Sequence, residues 1–144
     1  MEDLYIPILE DEFDKPFVHF RADSGECEIS GESFPEKTTE FYDRLVTWLK
    51  QYMEEVSGPV DFNIRLSYFN TSSSKRILEI LILLQKYAES GGKVKCSWYY
   101  DPEDLDMEED IEDLKIISKL PLEMLPEGGE TKFRTYDDGE GLGA

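Results

Sequence analysis

Two alternating apolar runs bracket one amphipathic stretch, and that order leaves few topologies open. In the first run Val60, Phe62, Ile64, Leu66 and Tyr68 share one parity, with Asp61, Asn63, Arg65 and Ser67 on the other. In the second, Val94, Cys96, Trp98 and Tyr100 alternate with Lys93, Lys95, Ser97 and Tyr99. A repeat of two puts successive side chains on opposite faces of a strand. Residues 72–90, between them, read as a helix closed by Gly91-Gly92. Strand, helix, strand at these lengths predicts a right-handed crossover and a parallel pair. Strands buried on both faces would read as unbroken apolar runs. These alternate, so helices are expected mainly on one face of the sheet, with the other partly wet.

The first third reads as short strands. Residues 4–9 are apolar-rich, and residues 17–22 follow Pro16, a residue suited to a strand start. Cys27 and Ile29 alternate with Glu26, Glu28 and Ser30, and Asp23-Ser24-Gly25 suits a hairpin turn before them. A hairpin beside a parallel pair makes the predicted sheet mixed and the class α/β. Ser33-Phe34-Pro35-Glu36 reads as a helix start, with Ser33 the candidate cap and an acid at the positive dipole end. Phe41, Leu45, Trp48, Leu49, Tyr52, Met53 and Val56 then form one stripe at helical spacing, stopped by Ser57-Gly58-Pro59. A last helix is predicted over 102–119, and 120–125 add an edge strand or a turn. Residues 1–126 form one domain, and the glycines and charges of 127–144 predict an acidic, flexible tail.

Charge narrows the partners. Across 144 residues, 33 acids face 15 bases, a formal net charge of -18. Nucleic acid and anionic membrane are disfavoured, and basic protein surfaces are favoured. No apolar run approaches the roughly 20 residues of a membrane span. Met1-Glu2-Asp3 lacks the basic start of a signal peptide. Cys27 and Cys96 form no CxxC pair, so a reducing, cytoplasmic setting is expected, with both as small core residues.

The usual chemical constellations are thin. The single histidine, His19, sits in a strand with no nucleophile in evident reach, the pattern of a structural residue. Asp101, Asp104, Asp106, Glu108, Glu109, Asp110, Glu112 and Asp113 form a dense acidic segment. Such carboxylates can hold Mg²⁺ or Ca²⁺, but the glycine of a calcium loop is missing, and acids opening a helix complement its dipole without metal. Ser74-Lys75 resembles the end of a Walker loop that lacks its glycines, so no nucleotide or other cofactor is expected.

The turn Asn70-Thr71-Ser72-Ser73-Ser74-Lys75 is the remaining candidate. Thr71 or Ser72 as a cap would stabilise the helix by about 1 kcal/mol. One cap needs one oxygen, and this turn offers four. A phosphoryl group here would bring a charge of about -1.5 to -2 to the positive end of a helix, with Lys75 and Arg76 as counter-charges. In the helix behind it, Ile77, Ile80, Leu81, Leu84 and Ala88 form a core stripe, while Leu78 and Ile82 stack beyond its edge. Either this helix packs against two neighbours, or Leu78 and Ile82 form an exposed patch for a partner.

With those residues in view, the chain resembles the SiaC family of bacterial regulatory phosphoproteins. The matching segments are Gly31-Glu32-Ser33-Phe34-Pro35-Glu36, Phe41-Tyr42 with Trp48-Leu49, Tyr68 through Lys75, and Trp98-Tyr99-Tyr100-Asp101. The family is similar to STAS (anti-sigma-factor-antagonist) domains, implying a STAS-like fold. The resemblance implies phosphorylation of Thr71, with Asn70, Ser72, Ser73, Ser74, Lys75, Leu78 and Ile82 flanking the site or meeting a partner. It implies a kinase with a histidine-kinase-like ATP-binding fold, a metal-dependent Ser/Thr phosphatase, and an effector such as a diguanylate cyclase. The protein would be a non-enzymatic adaptor. Two alternatives stand beside it: a Mg²⁺- or Ca²⁺-dependent phosphoesterase using Asp101, Asp104 and Asp106, and a constitutive homodimer joined through Leu78 and Ile82.

Overall fold

The computed structural model describes residues 1–127. Its elements run β1 (Leu4–Ile6), β2 (Phe17–Phe20), β3 (Glu26–Ser33), α1 (Thr38–Gln51), β4 (Val60–Phe69), α2 (Thr71–Glu89), β5 (Val94–Tyr100), α3 (Leu105–Ser118) and β6 (Glu123–Pro126). The six strands lie side by side in chain order. β1 and β2 pair antiparallel, as do β2 and β3, and the remaining neighbours are parallel. The sheet is therefore mixed, with the predicted parallel pair at β4–β5. Residues 120–125 resolve as the edge strand β6, parallel to β5 from Ser97↔Glu123 onward. The predicted tail lies outside the described residues from 128 onward.

Chain-order strands joined by right-handed crossovers place every connecting helix on the same face. Burial follows that geometry. Cys27, Ile29, Val60, Phe62, Ile64, Leu66, Cys96 and Trp98 are buried beneath the helices. The opposite parity is wet: His19, Glu28, Asp61, Asn63 and Arg65 line an open groove on the bare face. Gly25, in the β2–β3 turn, has φ +78°, and a Cβ there would lie 1.8 Å from the Pro59 carbonyl oxygen. Only glycine fits that position.

The predicted stripe of α1 is buried at Phe41, Leu45, Trp48, Leu49 and Tyr52, but Met53 is half-buried and Val56 is exposed, because the π-helical turn that follows shifts the facing of the last residues. The helix ends in a π-helical turn over Tyr52–Val56, closed by Ser57 N donating to the Tyr52 carbonyl at 2.9 Å. Its start differs from expectation. Ser33 is no cap: it is the last residue of β3 and fully buried. The helix begins at Thr38, whose hydroxyl donates to the Pro35 carbonyl at 3.0 Å. α3 likewise begins at Leu105 rather than 102, because Asp104 caps it.

α2 packs against both α1 and α3, the first of the two readings of its apolar wheel. Leu78 is half-buried against the core, and Ile82 is half-buried, so the pair is not an open patch. Each keeps part of its surface exposed, so the homodimer alternative would have less apolar area to join through than an open Leu78–Ile82 patch.

One local irregularity matters for the site. Gly31 pairs with Leu66 but Glu32 with Tyr68, so Ser67 is an extra residue in β4. A one-residue bulge inverts the facing of everything after it. Tyr68, expected inward with Leu66, is exposed instead, and Phe69 turns in to pack 5.6 Å from Trp98. Gly31 takes φ +101° opposite the bulge.

Candidate functional site

The turns after β3, β4 and β5 gather at the carboxyl edge of the parallel strands, where open α/β sheets place their working residues. The hydroxyl-rich turn leaves β4 there. Its cap is Asn70, not Thr71 or Ser72: the Asn70 side-chain oxygen accepts from Ser73 N at 2.9 Å. Asn70 N donates to the Ser33 carbonyl at 3.0 Å, tying the cap to the end of β3.

The four hydroxyls then separate. Ser73 is fully buried and its hydroxyl donates to the Ser33 carbonyl at 3.1 Å. The Ser73 oxygen also lies 2.9 Å from Ser33 Oγ, which lies 2.6 Å from the Tyr42 hydroxyl. With the Ser73 proton used on the carbonyl, Ser33 must donate to Ser73 and Tyr42 must donate to Ser33. Burial first of all raises the Tyr42 pKa, against the lowering effect of its Ser33 and Ser73 hydrogen bonds, which keeps that donor protonated. Ser73 is therefore structural, locking β3, α1 and α2 together. Ser74 is half-buried, and Thr71 and Ser72 are exposed. The Ser33–Tyr42 partnership carried no periodic signal and was not foreseen.

Thr71 opens α2, where the first amides have no acceptor within the helix. It stands at one end of a groove of about 310 Å³ between α2 and α3. Phe69, Leu78, Leu114 and Ile117 give the groove apolar walls, and Lys75, Asp110 and Asp113 give it charge. Burial pushes the Asp110 pKa up, and Asp113, Asp106 and Asp104 add to the rise. Of the two expected counter-charges, only Lys75 stays at the site. Arg76 turns to α1, pairing with Asp43 at 2.7 Å and Glu79 at 2.9 Å and donating to the Thr39 carbonyl. Leu78 lines the groove, whereas Ile82, a turn further on, does not.

The acidic segment is mostly helix-opening chemistry. Asp101 accepts from Glu103 N at 2.9 Å, and Asp104 accepts from Met107 N at 3.0 Å. Among the described residues no three His, Cys, Asp or Glu side chains converge to hold a metal ion. His19 lies on the bare face against Tyr5, its ring 5.0 Å away, and 3.5 Å from the Asp3 carboxylate. Both cysteines are buried, and desolvation chiefly raises their thiol pKa, that of Cys96 to about 12. None of these groups forms a catalytic arrangement with another. No helix among the described residues is long and apolar enough to cross a membrane.

Comparison with known proteins places the sequence and the fold. Over residues 9–127 the sequence matches the family described as SiaC family regulatory phosphoprotein. An uncharacterized protein of Pseudomonas aeruginosa (strain UCBPP-PA14) is 31% identical over 101 residues, spanning 70% of this chain and 78% of the relative. The crystal structure of apo-SiaC from Pseudomonas aeruginosa superposes with a TM-score of 0.78 at 27% identity, covering 87% of this chain and 99% of that one. A crystal structure of the diguanylate cyclase SiaD in complex with its activator SiaC, from the same organism, holds a chain matching with a TM-score of 0.80 at 26% identity. There the coverage is 87% of this chain and 100% of that one.

Proposed function

This chain belongs to the SiaC family of regulatory phosphoproteins, and on that premise we propose that it is a non-enzymatic, cytoplasmic signalling adaptor switched by reversible phosphorylation of Thr71. The observation that carries the reading is the sorting of the hydroxyls. Asn70 takes the capping role and Ser73 is sealed in the core, which leaves Thr71 and Ser72 exposed at the opening of the helix, and of those two Thr71 is the one that lines the α2–α3 groove. A modifying enzyme can reach it without unfolding the domain.

The groove supplies the mechanism. In the unmodified protein a partner docks between α2 and α3 on Leu78, Leu114 and Ile117, with Ser72, Ser74 and Lys75 at the rim and Ile82 beyond the groove's end. A phosphate on Thr71 adds a charge of about -1.5 to -2 at the groove's end. Lys75 and the dipole of α2 favour it, but Asp110 and Asp113 line the same groove and repel it. The modified side chain stands where the partner would, and docking fails. The complex of SiaC with the diguanylate cyclase SiaD supports an effector of that class here. A kinase with a histidine-kinase-like ATP-binding fold and a metal-dependent Ser/Thr phosphatase write and erase the mark.

The test pairs Thr71→Ala with Thr71→Asp against a candidate diguanylate cyclase in a pull-down, alongside intact mass of protein from native cells. Binding retained by the alanine variant and lost by the aspartate variant, with a phosphate mapped to Thr71, is the expected outcome. Equal binding by both variants removes Thr71 as the switch.

A further inference from the structure

The Thr71 switch leaves a second surface unused. It lies at the same carboxyl edge, where the β1–β2 loop meets the ends of β3 and β4. Ile8, Leu9 and Phe13 are 50%, 50% and 69% exposed, and Phe34 and Tyr68 are 37% and 49% exposed. Phe34 and Tyr68 meet edge to face at 5.9 Å. Asp14 ties the loop to them, its carbonyl accepting from Phe34 N at 2.8 Å and its carboxylate from Glu36 N at 3.3 Å. Ile8 reaches over Gly31, where an added Cβ would sit 3.5 Å from Ile8 Cδ1. Single exposed apolar side chains need no explanation, whereas several brought to one corner of the sheet by the Asp14 and Gly31 contacts mark a contact surface. The bulge sharpens the point, since uninterrupted alternation would have buried Tyr68.

The surroundings select the occupant. Glu10, Asp11, Glu32 and Glu36 are exposed near these side chains and outnumber the exposed bases Lys37 and Arg44 beyond Glu36, while Lys15 is held by Glu12 at 3.2 Å. Anionic membrane and nucleic acid would be repelled, and a second copy of a chain with net charge -18 would bring the same acids. The surface displays side chains rather than a long free strand edge, which suits a helix laid across it better than an added strand. We propose that Ile8, Phe13, Phe34 and Tyr68 dock a basic amphipathic helix of a partner protein, its apolar face on these side chains and its Lys/Arg on the flanking acids. Tyr68 faces the bare side while Thr71 opens toward α3, so this contact is independent of the Thr71 phosphate. The adaptor then has two separate faces, one switched and one constant.

Nuclear magnetic resonance on the full chain tests this with two Lys/Leu peptides of about 18 residues, long enough for some five helical turns. One carries Leu at helical spacing and the other is a scramble of the same composition. The expected result is that the patterned peptide shifts the amides of Ile8, Phe13, Phe34 and Tyr68 and the scramble binds more weakly. Phe13→Ser with Tyr68→Ser should weaken binding roughly tenfold, and Thr71→Asp should change it by less than about twofold. Shifts confined to the α2–α3 groove, equal affinity for the scramble, or a dimer by light scattering that the double variant dissociates would each overturn the proposal. If the double variant unfolds, Glu10→Lys with Glu32→Lys decides: undiminished binding refutes the docking surface. Absence of phosphate on Thr71 in cells would sink the switch and leave this surface standing.

Discussion

The Ser33 hydroxyl lies 2.9 Å from the Ser73 hydroxyl across 40 residues of sequence, both of them fully buried. Together with Tyr42 they form a hydrogen-bonded chain with one direction and no spare donor, ending on the Ser33 carbonyl. Ser73→Ala removes the acceptor of Ser33 and one donor to that carbonyl, leaving a buried hydroxyl unpaired. We expect a loss of about 1–3 kcal/mol of stability. Ser72→Ala, one residue away and exposed, should stay within about 0.5 kcal/mol. Urea denaturation of the two variants checks the difference, and equal losses would mean the two hydroxyls do not divide into structural and free.

Asn70 sits on the same junction and has a separable role. Its side chain satisfies one of the first amides of α2, and its own amide is held by β3. Asn70→Ala should cost about 1 kcal/mol, while Asn70→Asp keeps the acceptor and adds favourable charge at the helix start. Thermal melts should therefore rank aspartate at or above asparagine, with alanine below both.

Periodicity made the framework legible. The alternation of 60–69 and 94–100 predicted a parallel pair with a wet side, and the turn glycines delimited it. Periodicity failed where tertiary pairing overrode it. Ser33 has the chemistry of a cap and precedes a proline, yet its partner is a hydroxyl 40 residues away, which no local pattern encodes. Tyr68 continued a faultless alternation, but the extra residue Ser67 reversed it. The hydroxyl turn stood out in the sequence, and Thr71 within it came from the family resemblance, whereas only burial separates the sealed Ser73 from the exposed Thr71 and Ser72. The acids of α3 that line the groove with Thr71 were weighed as a metal site or a helix-opening surface, not as neighbours of that threonine, since nothing in sequence tells which neighbour a helix face will meet.

The two thiols offer a check on packing alone. Cys27 and Cys96 are buried beneath the helices, and desolvation raises both pKa values, so thiolate at neutral pH is scarce. Iodoacetamide at pH 8 should leave the native protein unmodified and add two labels once denaturant is present, counted by intact mass. Rapid labelling of the native state would show that the sheet–helix interface opens readily.

Asp110 connects stability to the proposed switch. Its pKa is raised, first by desolvation and then by Asp113, Asp106 and Asp104. A carboxyl whose folded value exceeds its unfolded value favours folding while protonated, so its contribution is present at acid pH and lost as pH rises through the folded value. Asp106 and Asp113 sit four and three residues away on α3, the spacing at which like charges destabilise a helix. Asp110→Asn should thus gain about 0.3–0.5 kcal/mol at neutral pH, less in high salt, and the gain should shrink as pH falls into the carboxylate range. The same carboxylate lines the groove that Thr71 opens. Thr71→Asp should cost more stability in the parent than in the Asp110→Asn background, and a double-mutant cycle reads that coupling without any partner present. A coupling of zero would mean a charge at Thr71 does not sense α3, and groove repulsion could not be how phosphate displaces an effector.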